Sequence, residues 1–215
     1  MKRFSIASLF LISLMSTAAV AQRADVAFTV GVAGASDAHQ SLTCAPGVLC
    51  IVPPLAGHVK TDPRVFLEGT VGFRLVNAKV ASLHLEVPFA GVPNQSVSLS
   101  NGIDFTKFHL SSVFITPSIK AKLLPGAPVS PWVSVGGGLA HYSFTADHTN
   151  KGALQFGGGV DIKTPFPHFG FRAEVRDFLS GHPNFGTPVV GLISNAESGL
   201  SRHNVLVGGG VVFHF

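Results

Sequence analysis

The stretch HFGFRAEVRDF, His168 to Phe178, decides the fold class. Taken two residues at a time, Phe169, Phe171, Ala173 and Val175 share one face, and Arg172, Glu174 and Arg176 share the other. A period of two belongs to a β-strand, whose side chains point alternately to opposite sides; a helix would scatter these charges around its circumference. One face is wholly apolar and the other carries three charges within five residues. A strand of this kind divides an apolar medium from a polar one.

The same division recurs along the chain. In FLEGTVGFRLV, Leu67, Val71, Phe73 and Leu75 oppose Glu68, Thr70 and Arg74; further on, Leu83, Leu85, Val87 and Phe89 oppose Ser82, His84 and Glu86. Lys120 and Lys122 alternate with Ile119 and Ala121, and Leu154, Phe156, Val160 and Ile162 oppose Gln155, Asp161 and Lys163. Alternating or β-rich segments cover 25–33, 65–76, 80–89, 105–123, 132–144, 153–163, 169–178 and 204–215. These eight candidate strands are each about ten residues or longer, the length a tilted strand needs to cross a bilayer core.

The connections alternate in length. About thirty residues containing both cysteines, then GVPNQSVSLSNGID, TADHTNKG and LSGHPNFGTPVVGLISNAESGLSRH, lie at one end; NAK, LPGAPVSP and TPFPH lie at the other. Long connections at one end and short turns at the other mark an outer-membrane barrel, with its short turns in the periplasm.

Composition points the same way. Of 215 residues, 46% are hydrophobic and only 12% charged, against about 25% in an ordinary soluble chain, and the mean hydropathy is +0.41. The opening MKRFSIASLFLISLMSTAAVAQ has Lys2 and Arg3, an apolar stretch from Ile6 to Met15, and the small-residue tripeptide Ala19-Val20-Ala21. It reads as a secretory signal peptide over 1–21, leaving 22–215 as one barrel domain. The apolar stretch is shorter than the roughly 20 residues of a spanning helix. An exported, apolar chain without a helical span is expected to close into a barrel in lipid, where every backbone group must find a partner within the protein.

Without Lys2 and Arg3, 13 of the 15 basic residues remain against 11 acidic ones, a balance that gives no footprint for nucleic acid. Cys44 and Cys50, in LTCAPGVLC, read as a local disulfide in an oxidising compartment. Such a short closed loop contributes about 2 kcal/mol, enough to staple a loop tip.

The polar faces together predict an interior charge network in which Arg74, Lys120, Lys122, Lys163, Arg172 and Arg176 meet Glu68, Glu86, Asp161 and Glu174. Charges of both signs in a narrow lumen should pair, because an unpaired one is costly there. Eight strands make a barrel just wide enough for side chains to fill, so no open pore is expected. A soluble lipocalin-like carrier would show the same alternation turned inside out; low charge and the leader favour lipid outside.

Ten histidines are scattered without ligand spacing, so neither a metal nor a cofactor is expected. In AHYSF, His141 and Ser143 share a strand face near the outer rim, with Asp147 the nearest acid downstream; His109 and Ser111 repeat the spacing. The glycine triplets lack the Lys-Ser/Thr of a phosphate loop.

FGFRAEVRDF and the closing GVVFHF resemble the small outer-membrane β-barrel family, the porin-like relatives of the eight-stranded OmpA and OmpX type. The resemblance implies an all-β, eight-stranded antiparallel up-and-down transmembrane β-barrel in a bacterial outer membrane. It implies outer-membrane lipid as a partner, and the barrel-assembly machinery during insertion, through an insertion signal at Gly210, Val211, Phe213 and Phe215. It implies a structural or surface-interaction role, with an extracellular ligand of the loops left open. A barrel that binds or passes a small solute is the alternative, and His141 with Ser143 is similar to the nucleophile pair of lipid A deacylases. One departure is the aromatic composition: one Trp and one Tyr against eighteen Phe, where interface belts normally use Trp and Tyr.

Overall fold

In the computed structural model, residues 24–36, 38–44, 55–100, 105–144, 147–181, 192–194 and 200–215 are described. The signal segment 1–21 and the Cys44–Cys50 pairing lie outside them. Eight strands form the barrel: β1 (Ala24–Ala35), β2 (Arg64–Asn77), β3 (Ala81–Ser100), β4 (Phe105–Ile115 continued by Ser118–Leu123), β5 (Val129–Phe144), β6 (Asp147–Lys163), β7 (Phe169–Gly181) and β8 (Leu200–His214). Each pairs antiparallel with the next. β8 then returns to β1, from Asp25 opposite His214 to Ala35 opposite Asn204. Closure removes the free edges that an open sheet would expose. This is the eight-stranded antiparallel up-and-down barrel expected from the alternation.

The sheet is polarised as a membrane barrel. Along β7 the outward Val175 is 48% exposed while the inward Arg176 is 0% exposed. Phe28, Val30 and Val32 on β1 and Val205 and Val207 on β8 also face out, and Glu68, Glu86, Lys120 and Glu174 are buried. A soluble lipocalin-like barrel requires the opposite polarity. Among the described residues no helix is long and apolar enough to cross a membrane.

Prolines and glycines account for the departures from plain strands. β4 is interrupted at Thr116-Pro117, opposite Pro88 of β3, where a missing N–H weakens the ladder on both sides. Residues 91–104, expected as a connection, instead carry β3 on to Ser100: Pro93 and Asn94 are absorbed in a bulge between Val92 and Gln95, Asn94 adopts φ 48°, and pairing with β4 resumes at Gln95. TADHTNKG likewise enters β6, which begins at Asp147. Three short strands, Ala38–Cys44, Leu55–Thr61 and Leu192–Ser194, raise the sheet further at this end. The long connections are therefore partly β-hairpin. The other end has short turns after β2, β4 and β6, beside Ala24 and Phe215.

Several inward glycines sit where a Cβ would strike backbone, Gly138 and Gly210 among them. At Gly210 it would press on the Phe28 carbonyl, and at Gly138 on the Ile115 carbonyl; at Gly152 it would meet open space. Gly138→Ala and Gly210→Ala are each expected to abolish the fast-migrating unboiled band on a denaturing gel, and Gly152→Ala to retain it. Full retention in all three variants would contradict the close strand approach.

Candidate functional site

The interior is built from the polar phase of each strand, and three layers follow one another along the axis. In the central layer the Arg176 guanidinium of β7 meets carboxylates from three strands: Glu68 of β2 at 2.9 Å, Glu86 of β3 at 2.9 Å and Glu174 of β7 at 3.2 Å. Lys120 of β4 adds a 3.2 Å contact to Glu86. Thr70 donates to Glu68 at 2.8 Å. With its amide oxygen turned inward, Gln155 accepts from Arg176 at 3.2 Å.

Trp132 of β5 lies against this layer, its ring 5.0 Å from Lys120 Nζ and 5.2 Å from the guanidinium carbons of Arg172 and Arg176. An indole face in a poorly solvated site attracts all three cations. The ring has room because the flanking glycines of the triplets point inward: a Cβ on Gly159 would touch it, and one on Gly157 would crowd Arg176. Across the ladder, Glu174 stands between Gly159 and Gly208, and Arg172 between Asp161 and Gly210.

Towards the short turns, Asp161 receives Arg172 through two hydrogen bonds of 2.8 and 3.1 Å and Lys122 at 2.8 Å. Asp25 holds His214 at 2.7 Å and His84 at 3.3 Å. Towards the long hairpins the lumen becomes apolar, with Phe66, Phe114, Phe178, Leu206 and Tyr142 buried together. The Phe114 and Phe178 rings stack at 4.7 Å. Tyr142 satisfies its hydroxyl on Ser180 Oγ at 2.5 Å, Asn204 donates to the Phe178 carbonyl at 3.0 Å, and Arg202 lies 5.8 Å from the Tyr142 ring.

The structure thus brings Glu68, Glu86, Lys120, Lys122, Asp161, Arg172, Glu174 and Arg176 into one buried array. Two residues named with them lie elsewhere. Arg74 is half-buried at the short-turn mouth, next to a bulge between it and Val76, and Lys163 is exposed there as the last residue of β6. Both sit where the strands end and water begins, so Lys163 is corrected from interior to rim. Trp132, Phe66 and Phe178 were missed as interior residues, although each is in phase with neighbouring polar ones: Trp132 with Ser130 and Ser134, Phe66 with Glu68, Phe178 with Arg176.

His141 and Ser143 face outward on β5. The His141 ring is bonded to Asn150 Oδ1 at 2.6 Å, so a neutral amide stands where an orienting carboxylate would be needed. Ser111 accepts from the Asn94 amide at 3.1 Å, and His109 is exposed. Among the described residues no three His, Cys, Asp or Glu side chains gather as a metal group. At the short-turn end Phe213 of β8 and Phe215 just beyond it are exposed and Val211 is half-buried, with the Phe213 ring 5.5 Å from that of Phe169.

No family model and no curated protein matches the chain. Among solved structures it is similar to the outer membrane protein OprG from Pseudomonas aeruginosa, at 13% identity over 90% of this chain and 98% of that one, with a TM-score of 0.57. Looser likenesses are Ail, the attachment invasion locus protein of Yersinia pestis, at 11% identity (89% and 99% covered, TM-score 0.43), and Neisserial surface protein A, at 16% identity (87% and 97% covered, TM-score 0.43). The chain has the fold of the small eight-stranded barrels of bacterial outer membranes, and its apolar outer face is that of a membrane-spanning protein.

Arg176→Met would leave three buried carboxylates without their shared guanidinium. A loss of about 3–5 kcal/mol is expected in urea unfolding from detergent or bilayer, the scale of breaking a buried ion pair. Adding Glu68→Gln and Glu174→Gln to the same chain should restore part of it. Lys151→Gln, at the long-hairpin end of β6, should stay within about 0.5 kcal/mol of the parent.

Proposed function

We propose that this chain is an outer-membrane barrel whose filled interior makes it a rigid post, with a structural or surface-interaction role for the hairpins it holds above the membrane. The observation that carries this reading is the Arg176 layer. A side chain from β7 reaches carboxylates on β2 and β3, which lie on other parts of the wall, and is itself fully buried. An aqueous channel cannot share that cross-section. The aromatic layer above it supports the same conclusion, since Phe66, Phe114 and Phe178 occupy the lumen between the ionic array and the hairpins.

In this reading the short turns face the periplasm, residues 1–21 are removed on export, and Gly210, Val211, Phe213 and Phe215 are read by the barrel-assembly machinery during insertion. The Cys44–Cys50 disulfide staples the outermost hairpin. Loops projecting from a rigid scaffold are the usual carriers of binding. His141 and Ser143 have no catalytic part: a base oriented only by Asn150 lacks the carboxylate that would stabilise its charged form.

Planar-bilayer recording of the refolded barrel is expected to show no stable stepwise conductance. Sustained large steps would overturn the filled-interior reading and favour solute passage. Purified protein is expected to release no fatty acid from lipid A, and measurable release lost in Ser143→Ala would instead establish a hydrolase.

A further inference from the structure

The short turn between β2 and β3 sets Ser82 and His84 two residues apart on the inward face of β3, both buried at the short-turn end of the lumen. Ser82 Oγ and His84 Nε2 are 2.9 Å apart. On the other side of the ring, His84 Nδ1 lies 3.3 Å from Asp25 Oδ2 of β1. β2 runs between these two strands, and its inward residue at the crossing is Gly72, opposite Asp25 on one side and Glu86 on the other. A glycine there puts no side chain in the path from Asp25 to His84. The second oxygen of Asp25 is held by His214 Nδ1 at 2.7 Å.

A hydroxyl, an imidazole and a carboxylate are thus in line, each through the atom that nucleophilic catalysis uses. A carboxylate facing Nδ1 favours the tautomer protonated there and leaves the Nε2 lone pair to accept the Ser82 proton. The carboxylate that His141 lacks is present at this end. All three residues line a cavity of about 330 Å³ among the short turns, a size that admits a small molecule. Its wall carries charges of both signs, Arg74 and Lys163 with Asp25 and the carboxylate of Phe215, and the exposed Phe166 gives it an apolar rim. Such a wall suits an uncharged substrate with a short apolar chain. Lys122 stands directly opposite Ser82 on β4. An ammonium has three donors, and its 2.8 Å contact with Asp161 leaves others for a developing oxyanion.

We propose that Ser82, His84 and Asp25 form a hydrolytic site at the short-turn mouth that cleaves small uncharged carboxylic esters. Ser82 Oγ attacks the acyl carbonyl as its proton passes to His84 Nε2; the ester C–O bond breaks and His84 returns that proton to the leaving alcohol. Water, deprotonated by His84, then attacks the acyl-Ser82 ester, releasing the carboxylic acid and restoring the serine hydroxyl. Asp25 acts as a positioning residue, holding the ring and stabilising its charged form. The proposal does not depend on the role of the hairpins, and a conductance found in planar bilayers would leave it standing.

The test uses the full barrel refolded in an uncharged, ester-free detergent, with p-nitrophenyl butyrate as substrate and a fluorophosphonate as covalent label. Turnover above the protein-free rate is expected, with the label located on Ser82 by peptide mass spectrometry. Ser82→Ala should abolish both, and His84→Gln should slow turnover by about 100-fold or more, the scale of losing a general base. Asp25→Asn should lower kcat by a similar factor with KM unchanged, a split that a merely structural role would not produce. Ser143→Ala, at the opposite end, should leave turnover unchanged. The unboiled gel band reports whether each variant is folded. A folded parent barrel that neither turns over the ester nor takes the label on Ser82, or turnover that survives Ser82→Ala, would overturn the proposal.

Discussion

Arg176 has its guanidinium against carboxylates from β2, β3 and β7, and the arrangement of the rest of the barrel follows from what that position demands. A cation enclosed at 0% exposure must be compensated nearby. Three carboxylates overcompensate it, so Lys120 is needed on Glu86, and Trp132 offers its ring to Lys120, Arg172 and Arg176 together. Contacts of 2.9 Å between β7 and the strands across the lumen fix the width of the barrel by the length of a glutamate and an arginine. The inward glycines of β6 and β8 follow from the same requirement, because bulk on either side of β7 would displace its charges.

The membrane imposes the complementary constraint. Hydrocarbon accepts no unpaired backbone group, which closes the sheet through β8 and β1, and no exposed charge, which sends the polar phase inward. Two demands that conflict in water are compatible here: an apolar outer surface costs nothing in lipid, and the charges pair within the lumen. The alternation of β7 alone satisfies both.

That coherence explains which parts were legible in the sequence. The strand count, the closure and the facing of Arg172, Glu174 and Arg176 followed from a period of two, which each residue either obeys or breaks. Strand ends were less legible, because Pro93 and Asn94 look like a turn and are held as a bulge by pairing with a neighbour that local sequence does not reveal. Lys163 obeyed the inward phase, yet it lies one residue from a turn, where facing no longer implies enclosure. Phe66, Phe114 and Phe178 were hidden by their type. A phenylalanine in a membrane barrel suggests lipid, and only its phase relative to Glu68 or Arg176 shows that these point inward.

The placement of aromatics resolves the odd composition. Trp and Tyr carry a polar handle that suits either a headgroup belt or a polar interior. Here both are spent inside: Tyr142 bonds Ser180, and Trp132 faces three cations. Phe, with no handle, covers the outer face at Phe28, Phe171 and Phe213. Outward polar pairs stand toward the long-hairpin end of the wall: Asp177 with His203 at 2.6 Å across β7 and β8, and His141 with Asn150 at 2.6 Å across β5 and β6. Each pair lies on the face that carries Val175, Val205 or Leu139 one step lower. Partnered in this way, neither pair leaves a lone charge on the outer face. With Phe and aliphatic side chains covering the outer face, the two amphipathic rings pack the lumen.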